Sequence, residues 1–134
     1  MTSLEERSPK LLSIRWDEGK VVFIDQTKLP NDLVFVETTS YERIAKAIER
    51  LEVRGAPLIG VAAAFALALA AYHCAKSSPN EVLKEVRRAA ERLKRTRPTA
   101  VNLFWAINSV LAEAERAKSL GEDVRSAVVN KALR

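Results

Sequence analysis

Apolar and polar positions alternate over short runs at the start of the chain and fall into a helical period after it. Leu12, Ile14 and Trp16 alternate with polar residues, Asp17-Glu18-Gly19-Lys20 carries turn chemistry with Gly19 free to take a positive φ, and Val21 to Ile24 resumes the apolar run. This pattern predicts a β-hairpin. Gln26 to Asp32 interrupts it with turn residues, and Leu33-Val34-Phe35-Val36 predicts a third strand.

From Thr39 the period changes. Thr39 with Glu42 three residues later reads as a capping box, and Ile44, Ala47, Ile48 and Leu51 then share one helical face, which predicts a helix ending near Leu51. Pro57 suits a first helical turn and predicts a second helix to about Ala75; Ser78-Pro79 repeats the signal for a third, running to about Arg95 with Val82, Leu83, Val86, Ala89, Ala90 and Leu93 inward. A fourth helix, capped by Thr99, is expected to bury Val101, Phe104, Trp105, Val110 and Leu111, and a fifth follows Gly121. The expected architecture is α+β: a small N-terminal antiparallel β-sheet of about three strands (about 11–37) followed by a bundle of about five α-helices (about 39–134), all in a single N-terminal domain covering 1–134.

Residues 55–75 carry no charge, a run long enough to raise the question of a membrane span. Alanine dominates it, Pro57 and Gly60 interrupt it, and few of its side chains are large and apolar, so a helix buried on all sides by close neighbours is the expected form.

Composition narrows the function classes. With 134 residues, 48% of them hydrophobic, one domain can bury its own core. A single cysteine, Cys74, excludes an internal disulfide, and with a single histidine, His73, no cluster at metal-ligand spacing arises. His73 and Cys74 are neighbours in sequence and point apart on a helix, so Cys74 is expected to be a buried structural thiol. The segment Met1 to Arg7 is acidic early and lacks an apolar core, unlike a secretory leader, which points to a cytoplasmic, reducing location. The net charge of +5 is spread among interspersed signs, favouring a small anionic ligand over nucleic acid; Trp16, Phe65, Phe104 and Trp105 occur singly and are expected in the core rather than on a base-stacking surface.

Two places share one design. Arg54-Gly55-Ala56-Pro57 and Arg97-Pro98-Thr99 each set an arginine directly before an expected helix N-terminus, where unpaired N–H groups and the positive end of the helix dipole favour an anion. The guanidinium fork fits two phosphate oxygens, and Gly55 removes a Cβ from the approach. A phosphate pocket and a pair of solvated surface arginines are both compatible with this spacing. Asn102 either faces the same pocket or bonds locally in the first helical turn.

Val53-Arg54-Gly55-Ala56-Pro57-Leu58-Ile59-Gly60-Val61-Ala62-Ala63-Ala64 and Thr96-Arg97-Pro98-Thr99-Ala100-Val101-Asn102-Leu103-Phe104-Trp105 resemble the two N-terminal signatures of the methylthioribose-1-phosphate isomerase family, and Asp25-Gln26-Thr27-Lys28-Leu29-Pro30 is similar to a third. The resemblance implies an aldose–ketose isomerisation of 5-methylthioribose 1-phosphate in methionine salvage, with no metal or organic cofactor, and assigns sugar-phosphate binding to Arg54, Gly55, Ala56 and Arg97. It also implies a homodimer for the complete protein and places the catalytic cysteine and aspartate in a C-terminal Rossmann-like domain. No segment matching that domain occurs before Arg134, so this polypeptide is expected to hold no catalytic residue and to be inactive alone.

Two relatives on the same fold are the alternatives: a ribose-1,5-bisphosphate isomerase, or a non-enzymatic regulatory subunit of the translation initiation factor 2B type. A more distant alternative, a basic helical module that binds nucleic acid, is prompted by the pI near 9.6 and opposed by the interspersed acidic residues.

Overall fold

The computed structural model describes residues 13–76 and 78–133; Leu12 of the expected hairpin lies outside them. Strands β1 (Ile14–Asp17), β2 (Lys20–Ile24) and β3 (Phe35–Thr38) form an antiparallel sheet in sequence order. Helices α1 (Tyr41–Glu49), α2 (Ala56–Tyr72), α3 (Pro79–Lys94), α4 (Val101–Ser119) and α5 (Val124–Leu133) follow. The α+β architecture expected from the sequence is the one observed.

The hairpin closes where the turn chemistry placed it, with Asp17 opposite Lys20. Both central residues have positive φ, Glu18 at 48° and Gly19 at 89°, the paired left-handed geometry that matches the twist of adjoining strands. β3 begins two residues later than its apolar run suggests. Its partner decides this: β2 ends at Ile24, which pairs with Phe35, and beyond it one bond from the Asp25 N–H to the Val34 carbonyl is all that continues the ladder, so Leu33 and Val34 remain exposed. Across the same pair the Lys20 ammonium bonds Glu37, which holds the Glu37 carboxyl below the usual range and raises Lys20.

α1 is capped by Ser40, not Thr39. The Ser40 hydroxyl accepts the N–H groups of Glu42 (3.1 Å) and Arg43 (3.4 Å). Glu42 does not complete a capping box, because its carboxylate accepts both bonds of Arg92 Nε, while the remaining nitrogens of Arg92 hold Glu49. One guanidinium thus ties α1 to α3. Ser40→Ala is expected to cost about 1 kcal/mol in chemical denaturation, whereas Thr39→Ala should change stability by less than about 0.5 kcal/mol.

α2 is the axis of the domain. It packs against the other four helices and against β1 and β2, and it is buried around its circumference from Ala62 to Ala71 apart from the half-buried Ala64. Alanine explains this, since a short side chain lets six elements approach one helix closely. No helix among the described residues is long and apolar enough to cross a membrane. α3 presents inward the six residues expected of it, after a Ser78 hydroxyl that accepts the Glu81 N–H.

α4 departs from expectation. Its buried stripe is Leu103, Ala106, Ile107, Val110, Ala114 and Ala117; Phe104 and Leu111 are half-buried, and Val101 and Trp105 are 77% and 72% exposed. Trp105 is therefore not a core residue. The largest apolar side chains suggested one face, but the alanines that fit against α2 select another. Trp16 and Phe65 do pack together, with ring centroids 6.1 Å apart.

Candidate functional site: two uncapped helix starts beside an open groove

α1 and α3 each begin with a serine whose hydroxyl satisfies backbone N–H groups. α2 and α4 do not. The residue before α2 is Gly55, the residue before α4 is Ala100, and neither offers a side-chain cap. Thr99, expected to cap α4, lies one residue too early. The first-turn N–H groups of both helices, Pro57 having none, are therefore without a side-chain cap, a setting that favours an anion.

These two starts are neighbours. Gly60, one turn into α2, lies against the first turn of α4: a Cβ there would stand 3.4 Å from the Asn102 carbonyl oxygen and 3.7 Å from the Ala106 methyl. Beside them lies a groove of about 650 Å³ lined by Pro57, Val61, Asn102, Trp105, Ser109 and Lys131 among others. Asn102 thus faces the groove, and its side chain makes no local hydrogen bond among the described residues.

None of the sequence-derived site residues lines the groove; Arg54, Gly55 and Ala56 directly precede its lining residue Pro57 in the chain, and Arg97 lies five residues before Asn102. Arg54 is exposed in the loop before α2, Gly55 is the residue flanking the helix, and Ala56 is its first residue. Arg97 is half-buried in the turn between α3 and α4, where its carbonyl accepts the Ala100 N–H at 3.0 Å. Among the described residues neither guanidinium has a hydrogen-bond or ion-pair partner, in contrast to Arg43, Arg87, Arg88, Arg92, Arg116 and Arg125. Gly55 serves its backbone conformation more than space: its φ is 96°, and nothing lies within 4 Å of where a Cβ would be.

A buttress holds this loop, and sequence reading alone does not find it. The Gln26 N–H donates to the carbonyl of Glu52 at 2.8 Å, two residues before Arg54. The Glu52 side chain is buried against Arg43 as an ion pair at 2.8 Å, not aligned as a hydrogen bond, and Arg43 in turn lies over the Phe23 ring. Gln26 belongs to the third family-like segment, Asp25 to Pro30, whose turn is fixed by Asp25 accepting from the backbone and hydroxyl of Thr27 at 2.9 and 2.6 Å. These bonds hold the Asp25 carboxyl below the usual carboxylate range against the opposing effect of its burial. The signal that could have revealed the buttress is an acidic residue inside an otherwise apolar approach to Arg54.

Cys74 and His73 lie elsewhere, at the far end of α2. Cys74 is half-buried rather than buried, with its carbonyl accepting from Arg125 at 2.9 Å, and His73 Nε2 donates to the Gly19 carbonyl at 2.6 Å. The two side chains do not form a unit.

Comparison with known proteins finds relatives of two kinds. A methylthioribose-1-phosphate isomerase from Bacillus licheniformis is 46% identical over 110 residues, covering 82% of this chain and 31% of its own length. A putative one from Pyrococcus furiosus is 47% identical over 120 residues, covering 88% and 34%. The chain spans about a third of the length of these curated relatives. Among solved structures, 5-methylthioribose 1-phosphate isomerase from Pyrococcus horikoshii superposes with a TM-score of 0.81 at 36% identity, over 90% of this chain and 34% of that one. Subunit delta of the translation initiation factor eIF-2B from A. fulgidus also gives a TM-score of 0.81, at 40% identity, over 90% and 35%. Residues 52–133, which contain both uncapped helix starts and both unpaired arginines, match the initiation factor 2 subunit family, and the chain belongs to that family.

Proposed function

We propose that this chain is the phosphate-binding N-terminal domain of an aldose–ketose isomerase that converts 5-methylthioribose 1-phosphate to 5-methylthioribulose 1-phosphate. The observation that carries the reading is that the two helices left without a side-chain cap follow Arg54 and Arg97, start side by side, and belong to the segment shared with the isomerases named above. First-turn amides of α2 and α4, with the forks of Arg54 and Arg97, would hold the dianionic phosphate; Gly55 and Ala56 supply backbone at its edge. Anchoring the phosphate fixes the sugar carbons relative to the groups that move the proton between C1 and C2, an entropic contribution to rate. Those groups, a cysteine and an aspartate in the family reading, belong to a second domain of the complete enzyme, and this chain is the phosphate anchor.

A second reading has its own support in the likeness to the eIF-2B delta subunit: a regulatory protein with no sugar-phosphate substrate. Titration of the isotopically labelled chain with 5-methylthioribose 1-phosphate, followed by NMR, separates the two. The isomerase reading expects saturable shifts at the amides of Gly55, Ala56 and residues 101–103. A spectrum indifferent to the sugar phosphate favours the regulatory reading.

A further inference from the structure

Resting on the phosphate-site reading above, we infer that Trp105 determines specificity at the far end of the substrate, by packing against an apolar substituent on the sugar's C5. Trp105 is 72% exposed beside the groove and takes no part in the hydrophobic core of the described residues. Its position is informative. Trp105 lies one turn beyond Val101, the first residue of α4, and helical side chains lean back towards the N-terminus, so its indole overhangs the turn whose free amides point at the phosphate position. One turn rises about 5.4 Å, a span that a pentose bridges between its C1 and C5 substituents.

The groove around the indole has the character of a small-molecule site. Gly60, Val61 and Ala64 form an apolar wall on α2, with Asn102 and Ser109 as sparse polar groups on α4, and about 650 Å³ suits a ligand of this size. A thioether or methyl group gains from contact with the indole face or edge, whereas a C5 hydroxyl would lose water there without a compensating partner. A C5 phosphate would have to leave the indole for Lys131, the cation lining the groove. The geometry therefore favours an apolar C5 group over a hydroxyl or a second phosphate.

The test uses the chain itself with three probes: 5-methylthioribose 1-phosphate, ribose 1-phosphate and ribose 1,5-bisphosphate. The methylthio sugar should bind roughly 10-fold more tightly than ribose 1-phosphate, the discrimination expected of one apolar contact. It alone should move the Trp105 indole N–H, a resonance assigned by its loss in Trp105→Phe. Trp105→Ala should abolish the preference while leaving the shifts at Gly55 and Ala56, and Trp105→Phe should retain most of it. An undiminished preference in Trp105→Ala, or tighter binding of the bisphosphate, overturns the role of Trp105 and leaves the phosphate site standing. Absence of shifts at Gly55, Ala56 and residues 101–103 with every probe removes the phosphate site and this inference together.

Discussion

Gly19→Ala is expected to destabilise the fold by roughly 2–5 kcal/mol, lowering the midpoint of thermal unfolding by about 7–18 °C for a chain of this size. Two costs combine. A residue with a Cβ is disfavoured at φ 89°, by about 1–2 kcal/mol. The added carbon would also stand 2.5 Å from Cε1 of the Tyr72 ring, so the ring or the turn must move. Tyr72 is 42% exposed and can swing only by giving up its ring contacts with Trp16 at 5.7 Å and His73 at 5.0 Å between centroids, His73 itself being bonded to the Gly19 carbonyl. In a Tyr72→Leu background the steric part should vanish, leaving about 1–2 kcal/mol for the backbone alone. Equal losses in the two backgrounds, measured by denaturant titration, would show that the ring contact contributes nothing.

This turn was legible in the sequence because its geometry is local: four residues specify it, and Gly19 announces the conformation. The α3 face was legible for a similar reason, since charge and apolar character separate cleanly along it. α4 was not. Val101, Phe104 and Trp105 outweigh Ala106, Ala114 and Ala117 in hydrophobicity, yet the alanines face inward, because the shape of α2 on the other side decides which face fits. The start of β3 and the choice of Ser40 over Thr39 likewise depend on partners distant in sequence: Ile24 in the first case, and in the second Arg92, which draws Glu42 away from the cap. At the site, the arginines and their helix starts could be read from sequence. The missing caps, the Glu52 buttress and the open indole required the tertiary arrangement.

Arg97→Ala is expected to weaken binding of 5-methylthioribose 1-phosphate roughly 10–100-fold, about 1.5–3 kcal/mol, the range of a charge-assisted hydrogen bond. Arg54→Ala should act similarly. Neither guanidinium has a partner among the described residues, so neither change should alter stability by more than about 0.5 kcal/mol. If the two forks hold one phosphate, the double variant should depart from the sum of the single losses, because the second substitution acts on a site already loosened. Arg97→Lys keeps the charge without the fork and should recover only part of the affinity. The measurement is calorimetric titration of each variant, with unfolding curves run alongside. Parent-like affinity in Arg97→Ala would exclude Arg97 from the phosphate site.

The all-round burial of α2 also governs how this domain can change over generations. A helix that packs against each of the other described helices, largely through alanines, admits almost no enlargement along its middle turns: a longer side chain at Ala63 or Ala66 meets packed neighbours wherever it points. Freedom remains at the ends and on the solvent-facing positions, among them Val61 beside the groove. Sequence drift in such a lineage is therefore channelled towards the mouth of the site, where a new side chain alters what the groove accepts while the rod beneath it keeps its place.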